Sequence, residues 1–371
     1  MKQIVTILLM LTATATFGKR TVSGVETERF DSVIDGRRTA LYVLTNGKGM
    51  EACVTNYGAR LVSLVFGGKD VVLGFDNVGD YRRMKQNYGA TVGRYVGRIN
   101  HSQFTLDGQT YQLQQNGKGV TSHGGYPGFA DKVWTVVKKK RSMVKLRYVS
   151  ADGENGFPGE LTVTLTYRLT KDNRLTIDYE ATTTKATVLN LTNHSFFNLS
   201  GHHDKEITNE TMWIASDSIA TFDSAKNLNG KFLKVDGTPF DFRTPRVIGE
   251  RIDADDVQLK VTGGYDHSFA VDGKKGRAPV AWIEDSESGI KMTVYTKEPA
   301  LHVYAGNGLK GNMKGKGGIA YPRRSAICFE TMHFADSPNI PNFPSTTLRP
   351  GEVFRSRTEF EFKVSLNRTF K

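Results

Sequence analysis

Eight histidines are spread through the 371-residue chain, and two of them keep unusual company. His123 lies in Thr121-Ser-His-Gly-Gly125, where paired glycines let a backbone or a ligand come close to the imidazole. His194 lies in Asn190-Leu-Thr-Asn-His-Ser-Phe-Phe-Asn-Leu199, a polar cluster inside an apolar run. That pattern suits a strand with one face turned to a polar pocket. Glu330 closes the apolar run Ala326-Ile-Cys-Phe329. A carboxylate at the end of a buried strand is poorly solvated, which lifts its pKa toward that of a working base. Asp266 lies between Gly263-Gly264-Tyr265 and His267, and Arg94 and Arg98 belong to Gly93-Arg-Tyr-Val-Gly-Arg98. Taken singly, each has a plainer reading: a hydrogen-bonded structural histidine, a satisfied glutamate, a turn aspartate, a salt-bridged arginine.

Other chemistries lack their residues. His202-His203-Asp204 has no partner at helical spacing and reads as an exposed loop rather than a metal site. Gly306 to Gly318 carries lysines without the order of a phosphate-binding loop, and reads as a mobile surface loop. There is no G-x-S-x-G elbow. Cys53 and Cys328 exclude a disulfide scaffold and a four-cysteine zinc site, and read as buried small hydrophobes whose pairing is left open. The net charge of +12 admits an anionic partner, yet the cations are scattered apart from Lys138-Lys139-Lys140-Arg141 and Lys310 to Lys316. No nucleic-acid-binding motif accompanies them, so the surface reads as solvated and basic.

The elements that must position these groups read as β throughout. Leu161 to Tyr167, Leu175 to Tyr179 and Thr358 to Val364 alternate at period two. Phe104 to Leu113 forms a hairpin about Asp107-Gly108, and a second is expected around Gly67-Gly68-Lys69-Asp70. Helix is expected only at Tyr81 to Met84 and Ile248 to Asp253. The 38 glycines fit many turns, and no fixed-period repeat or linker divides the chain. The expectation is an all-β fold, one large antiparallel β-sandwich over residues 16–371.

Residues 1–15 stand apart. Lys2, the apolar stretch Ile4 to Leu11 and Ala13-Thr14-Ala15 read as a secretory signal, implying a periplasmic or secreted protein. The stretch is too short to span a bilayer, which takes about 20 apolar residues. Asn190, Asn193 and Asn198 each begin an N-x-S/T triplet, read as chance matches.

Taken together, the segments resemble the aldose 1-epimerase (galactose mutarotase) family. They run in order from Asn56-Tyr-Gly-Ala59 through Gly93-Arg-Tyr-Val-Gly-Arg-Ile-Asn100, Ser122-His-Gly-Gly125, Trp134 and Asn190 to Leu199. Tyr265-Asp-His267, Pro299-Ala-Leu-His-Val-Tyr304, Glu330 to Asn339 and Leu348-Arg-Pro-Gly-Glu352 complete the set. Each is weak alone; the order is specific. The resemblance implies a galactose mutarotase-like supersandwich that interconverts the α and β anomers of a free aldose. It implies no metal or redox cofactor, a small-molecule sugar as partner without nucleic acid or a membrane span, and a monomer or homodimer. It places the general base on Glu330 and the general acid on His194, and sugar hydroxyls against Arg98, His123, Asp266 and His302. Such a pair is expected to hold an ionised carboxylate beside a protonated imidazole.

Three positions depart from the family pattern. Gly97 stands where many members have Asn, His302 where a Gln often contacts the sugar, and Met332 where a Gln is common. They leave room for two alternatives: an epimerase of another, possibly anionic, sugar, and a non-catalytic sugar-binding protein on the same fold.

Overall fold

Alternating burial turns the period-two segments into strands. The computed structural model describes residues 20–272 and 278–365; the expected secretory segment lies outside them. Leu161–Leu169 buries every second side chain, pairs with Arg174–Thr183, and through it reaches Phe354–Val364. These three are the middle of a nine-stranded sheet ordered Thr135–Lys140, Met143–Ser150, Leu161–Leu169, Arg174–Thr183, Phe354–Val364, Ile290–Thr296, Ala281–Glu284, Thr211–Ile214 and Arg246–Val247. Every neighbouring pair in it is antiparallel.

A second, six-stranded antiparallel sheet runs Phe196–Phe197, Ile327–Met332, Ala300–Tyr304, Asp266–Ala270, Ser218–Phe222 and Leu228–Lys234. Its back packs on the inner face of the long sheet. One apolar cluster holds Leu165, Ile177, Val294 and Phe360 from the first and Leu301, Val303, Ile327 and Phe329 from the second. The rings of Phe197 and Phe360 meet at 5.0 Å across this layer. The molecule is thus a large antiparallel β-sandwich, as the strand pattern predicts. The central strands of the second sheet are walled on both faces, by the core behind and by the candidate site in front.

The turns follow their chemistry. Asp107 and Gly108 both take positive φ between Gln103–Leu106 and Gln109–Gln112, as a two-residue hairpin turn requires. Gly67 and Gly68 do the same between Arg60–Phe66 and Lys69–Asp70.

Helix is scarce, and one expected helix shifts. Val78–Met84 is a helix whose N-cap, Asn77, accepts the amide of Asp80 through its side chain. Ile248 to Asp253 forms only a single 3-10 turn, Ile248–Glu250. The second α-helix is Val257–Thr262, begun by Asp256, whose side chain accepts from Gln258 and Leu259, and stopped by Gly263 at φ +74°. Caps decided its place; apolar spacing did not show it. Among the described residues, no helix is long and apolar enough to cross a membrane.

The glycine-rich stretch is tied down rather than loose, which corrects the surface-loop reading. The Lys316 side chain is buried; its ammonium pairs with Asp70 and donates to the Val62 carbonyl at 2.8 Å. The Tyr321 hydroxyl donates to Gly74 O at 2.8 Å and accepts the Lys316 amide at 2.9 Å.

Candidate active site

Three neighbouring strands of the six-stranded sheet carry the site by simple alternation. Leu301 and Val303 face the core while His302 and Tyr304 face outward, and in Asp266–Ala270 the outward pair is Asp266 and Ser268. In Ile327–Met332 every residue is buried, yet the same rule holds: Ile327 and Phe329 join the core, whereas Glu330 and Met332 line a cavity. Register then sets the neighbours. Ser268 lies opposite His302, and His302 opposite Glu330, so the three form one row across the sheet. Asp266, Tyr304 and Cys328 form the next row.

The other walls come from short strands at the lip. Thr192–His194 pairs with Ala90–Val92 and sets His194 over the end of Ile327–Met332, with Nε2 3.4 Å from Glu330 Oε1. On its other side, Nδ1 lies 3.5 Å from Cys328 Sγ. The ring is stacked on Phe196 at 5.0 Å and meets His123 edge-on at 5.8 Å. Arg98 and His123 sit side by side because Arg98–Asn100 pairs with Val120–Ser122, and the pairing continues through His123 N to Gly97 O at 2.8 Å. The outcome is a cavity of about 580 Å³ lined by all six residues singled out from sequence: Arg98, His123, His194, Asp266, His302 and Glu330. That is the size range of small-molecule sites.

The electrostatics of this pocket are uneven. Burial pushes the Glu330 carboxyl up to about 7, with His302 opposing and Asp266 adding to the rise. Burial pushes His194 down to about 3, and the neighbouring His123 and His302 act the same way. His123 is held down to about 4, chiefly by burial. His302 behaves oppositely. Burial would lower it, but its Nε2 lies 2.8 Å from Asp266 Oδ1, and that bond and charge raise it. Its Nδ1 lies 2.9 Å from the Ser268 hydroxyl. Asp266 would be raised by burial, but His302 and Lys226 hold its carboxylate well below the usual range.

Burial by itself opposes the expected arrangement of an ionised Glu330 beside a protonated His194. Burial penalises both charges and leaves the carboxyl as the better proton holder. The 3.4 Å contact works against this split, since an ionised pair at that distance attracts.

Lys226 escaped the sequence reading. It stands in the turn Asp223 to Asn227, where the Asp223 side chain accepts the amides of Ala225 and Asn227. Its ammonium lies 2.5 Å from Asp266 Oδ2, and its carbonyl accepts from Arg98 at 2.8 Å. An Asp-x-x-Lys-Asn turn has no chemical signature; only the fold brings it to the site. Arg94, in contrast, lies away from the cavity. It is buried and donates to the carbonyls of Pro158, Gly159, Ser150 and Ala151, so it braces a bend. Cys53 and Cys328 are both buried and unpaired. The amides of Asn190, Asn193 and Asn198 are buried and hydrogen-bonded.

The departures from the family pattern have structural partners. Gly97 has φ +80°, and a Cβ there would come 2.5 Å from the Ala335 Cβ. The backbone passes so close that a side chain needs room made for it. His302 is held by Asp266 and Ser268 as described. Met332 and Ala335 pack with Val92 and Val96 in a small apolar cluster beside the cavity.

Among the described residues, the set of donors that could hold a metal ion is His194, Cys328 and Glu330, with ligand atoms within 4.8 Å of one another. A cation there would occupy both groups best placed to exchange protons.

A family model described as aldose 1-epimerase matches residues 40–361. The chain is 38% identical to galactose mutarotase of Bos taurus over 80% of its own length and 84% of that protein. It is 36% identical to aldose 1-epimerase of Escherichia coli K12 over 88% and 96%. Galactose 1-epimerase from Lactobacillus acidophilus superimposes with a TM-score of 0.81 at 28% identity, covering 90% of this chain and 97% of that one.

Proposed function

We propose that this chain, which belongs to the aldose 1-epimerase family and is an isomerase of free aldose anomers, works by passing one shared proton between Glu330 and His194. The observation that carries the reading is the buried Glu330 carboxylate facing His194 Nε2 at 3.4 Å within the cavity. The anomeric hydroxyl and the ring oxygen are both bonded to C1, so the base and the acid that serve them must stand close together.

With Glu330 ionised and His194 protonated, Glu330 takes the proton from the C1 hydroxyl while His194 Nε2 gives one to the ring oxygen. The C1–O5 bond breaks, the C1–O1 bond becomes a carbonyl, and the pair is left as a carboxylic acid beside a neutral imidazole. Rotation about C1–C2 presents the other carbonyl face. On closure Glu330 returns its proton to O1 and His194 takes the one on O5. The state that burial favours is the one that faces the aldehyde, and both states hold one proton. Ring opening carries the pair into that distribution and closure carries it back out, with no proton taken from or lost to water. Each group contributes roughly a hundred- to ten-thousand-fold.

Arg98, His123, Asp266 and His302 hold the hydroxyls, through hydrogen bonds, charge-assisted at Arg98 and Asp266, that orient the ring against the pair. Asp266 meets the sugar with one oxygen on His302 and the other on Lys226, so Lys226 shifts or shares when a hydroxyl binds. The two alternatives, an epimerase of another, possibly anionic, sugar and a non-catalytic sugar-binding protein, are not favoured by the comparisons.

Optical rotation of freshly dissolved α-D-galactose and α-D-glucose tests the reading. The purified protein is expected to speed the approach to the unchanged final rotation. No acceleration with either sugar or with other free aldoses would refute it.

A further inference from the structure

We propose that Cys328 is a positioning residue: its sulfur accepts the Nδ1–H of His194, leaving Nε2 as the nitrogen that gives and regains the proton. The inference rests on the reading of His194 as the donor to the ring oxygen. It begins with alternation. Cys328 and Glu330 are two residues apart on one strand and project to the same face. That one strand supplies the base directly and steadies the acid through sulfur. The Sγ lies 3.5 Å from Nδ1, while Nε2 is the atom turned to Glu330 at 3.4 Å. Stacking on Phe196 at 5.0 Å and 20° limits rotation of the ring away from this choice.

Which ring nitrogen carries the proton is set by the partner of the other. Were the thiol to donate to Nδ1, the neutral ring would carry its hydrogen on Nε2 and could not take the O5 proton during closure. With sulfur as acceptor, beside the bond that the ring also makes to the His194 backbone, Nε2 works in both half-reactions. The kind of acceptor matters as well. A carboxylate beside an imidazole raises its basicity, as Asp266 does for His302 in the same sheet. A neutral thiol is a weak acceptor that fixes the tautomer with little such effect. Burial keeps the Cys328 proton on sulfur, holding the thiol well above its usual pKa. The sheet therefore holds two imidazoles with opposite settings: His302 tied to a carboxylate that raises its basicity, His194 tied to sulfur and ready to release its proton.

The test compares the full-length protein with its Cys328→Ala and Cys328→Ser variants by polarimetry and by ¹⁵N NMR of the histidine rings. In the parent, His194 is expected to show protonated Nδ1 and bare Nε2. Cys328→Ala is expected to lose that tautomer and about tenfold in kcat, the scale on which partners of a working imidazole act, with KM little changed. Cys328→Ser, whose hydroxyl also accepts, is expected to keep the tautomer and most of kcat. Unchanged kcat and tautomer in Cys328→Ala overturn the proposal. So does a fall in kcat with the tautomer unchanged, which would mark a packing defect. If Cys328→Ala does not fold, loss of the Nδ1–H form in folded Cys328→Ser overturns it instead. His194→Asn separates the two levels. Normal turnover in that variant removes the acid assignment itself, whereas an inactive His194→Asn beside an unaffected Cys328→Ala removes only the role of sulfur.

Discussion

On the proposed mechanism, the proton shared by Glu330 and His194 limits the pH range in which the site can work. The one-proton form is present below the pKa of Glu330, about 7, and above that of His194, about 3. The profile of kcat/KM against pH is accordingly expected to fall as pH rises from about 7 and to hold its value through mild acid, because the proton count of the pair, not its internal distribution, sets the limbs. A rate that keeps climbing well above neutrality would contradict this. His302 faces Glu330 across the strands and opposes the rise of its pKa. Removing that cation in His302→Gln is expected to move the alkaline limb upward; an unmoved or lowered limb would show that His302 does not act on the base. At this scale the sequence was generous. All six chosen residues line one cavity, since the order of their motifs located them although no single motif did. It missed what needs three dimensions: Lys226 in an unmarked turn, Ser268 behind His302, and the contact of Cys328 with His194. Cys328 was legible as buried, but nothing in Ala326-Ile-Cys-Phe329 says which ring it touches.

Elements decide how tightly the cavity is held. Strands with one wet face were readable from alternation, as Leu161–Leu169 was. Ile327–Met332 was not, because both of its faces are buried and it reads as an apolar run ended by Glu330. The second helix was lost because caps, rather than apolar spacing, place Val257–Thr262. The glycine-rich segment was misread because its anchor, the Lys316–Asp70 pair, spans most of the chain. Breaking one side of a buried pair leaves an uncompensated charge, so Lys316→Met is expected to destabilise the protein by roughly 3–5 kcal/mol, read by denaturant unfolding. A loss well under about 1 kcal/mol, the scale of an exposed pair, would show that the anchor is not buried in solution. Gly97→Asn tests the lip. The contact with Ala335 predicts weaker sugar binding, and Ala335→Gly in the same protein should recover part of it. Normal KM in the single variant would show that the lip yields freely.

On the scale of the whole molecule, the order of nine strands drawn from residues 135 to 364 was beyond reading, because nothing local encodes which distant strands pair. The basic composition, by contrast, has a structural use. Lys138, Lys139 and Lys140 lie on Thr135–Lys140 at the edge of the long sheet, where lysines discourage pairing with another chain. Stability should also carry the mark of one buried acid outside the site. Burial raises Glu210 to about 8, with one oxygen accepting from Leu199 and the other without a partner. Its folded pKa lies above its unfolded value near 4.5, so the native state binds this proton more tightly. The resulting stability is intact below about pH 4.5 and is lost as pH rises toward 8. Glu210→Gln is expected to melt higher than the parent at pH 7 to 8, by a margin that closes toward pH 4. A margin independent of pH would contradict the assignment.

The most direct test of the central claim is Glu330→Gln, measured both for turnover by polarimetry and for sugar affinity by titration calorimetry. The amide keeps the shape and can still hydrogen-bond, but it cannot take the proton from the C1 hydroxyl. The account predicts turnover lost to background with galactose or glucose still bound at near-parental affinity. Substantial turnover in the folded variant would contradict it, and the shared-proton mechanism would have to be abandoned.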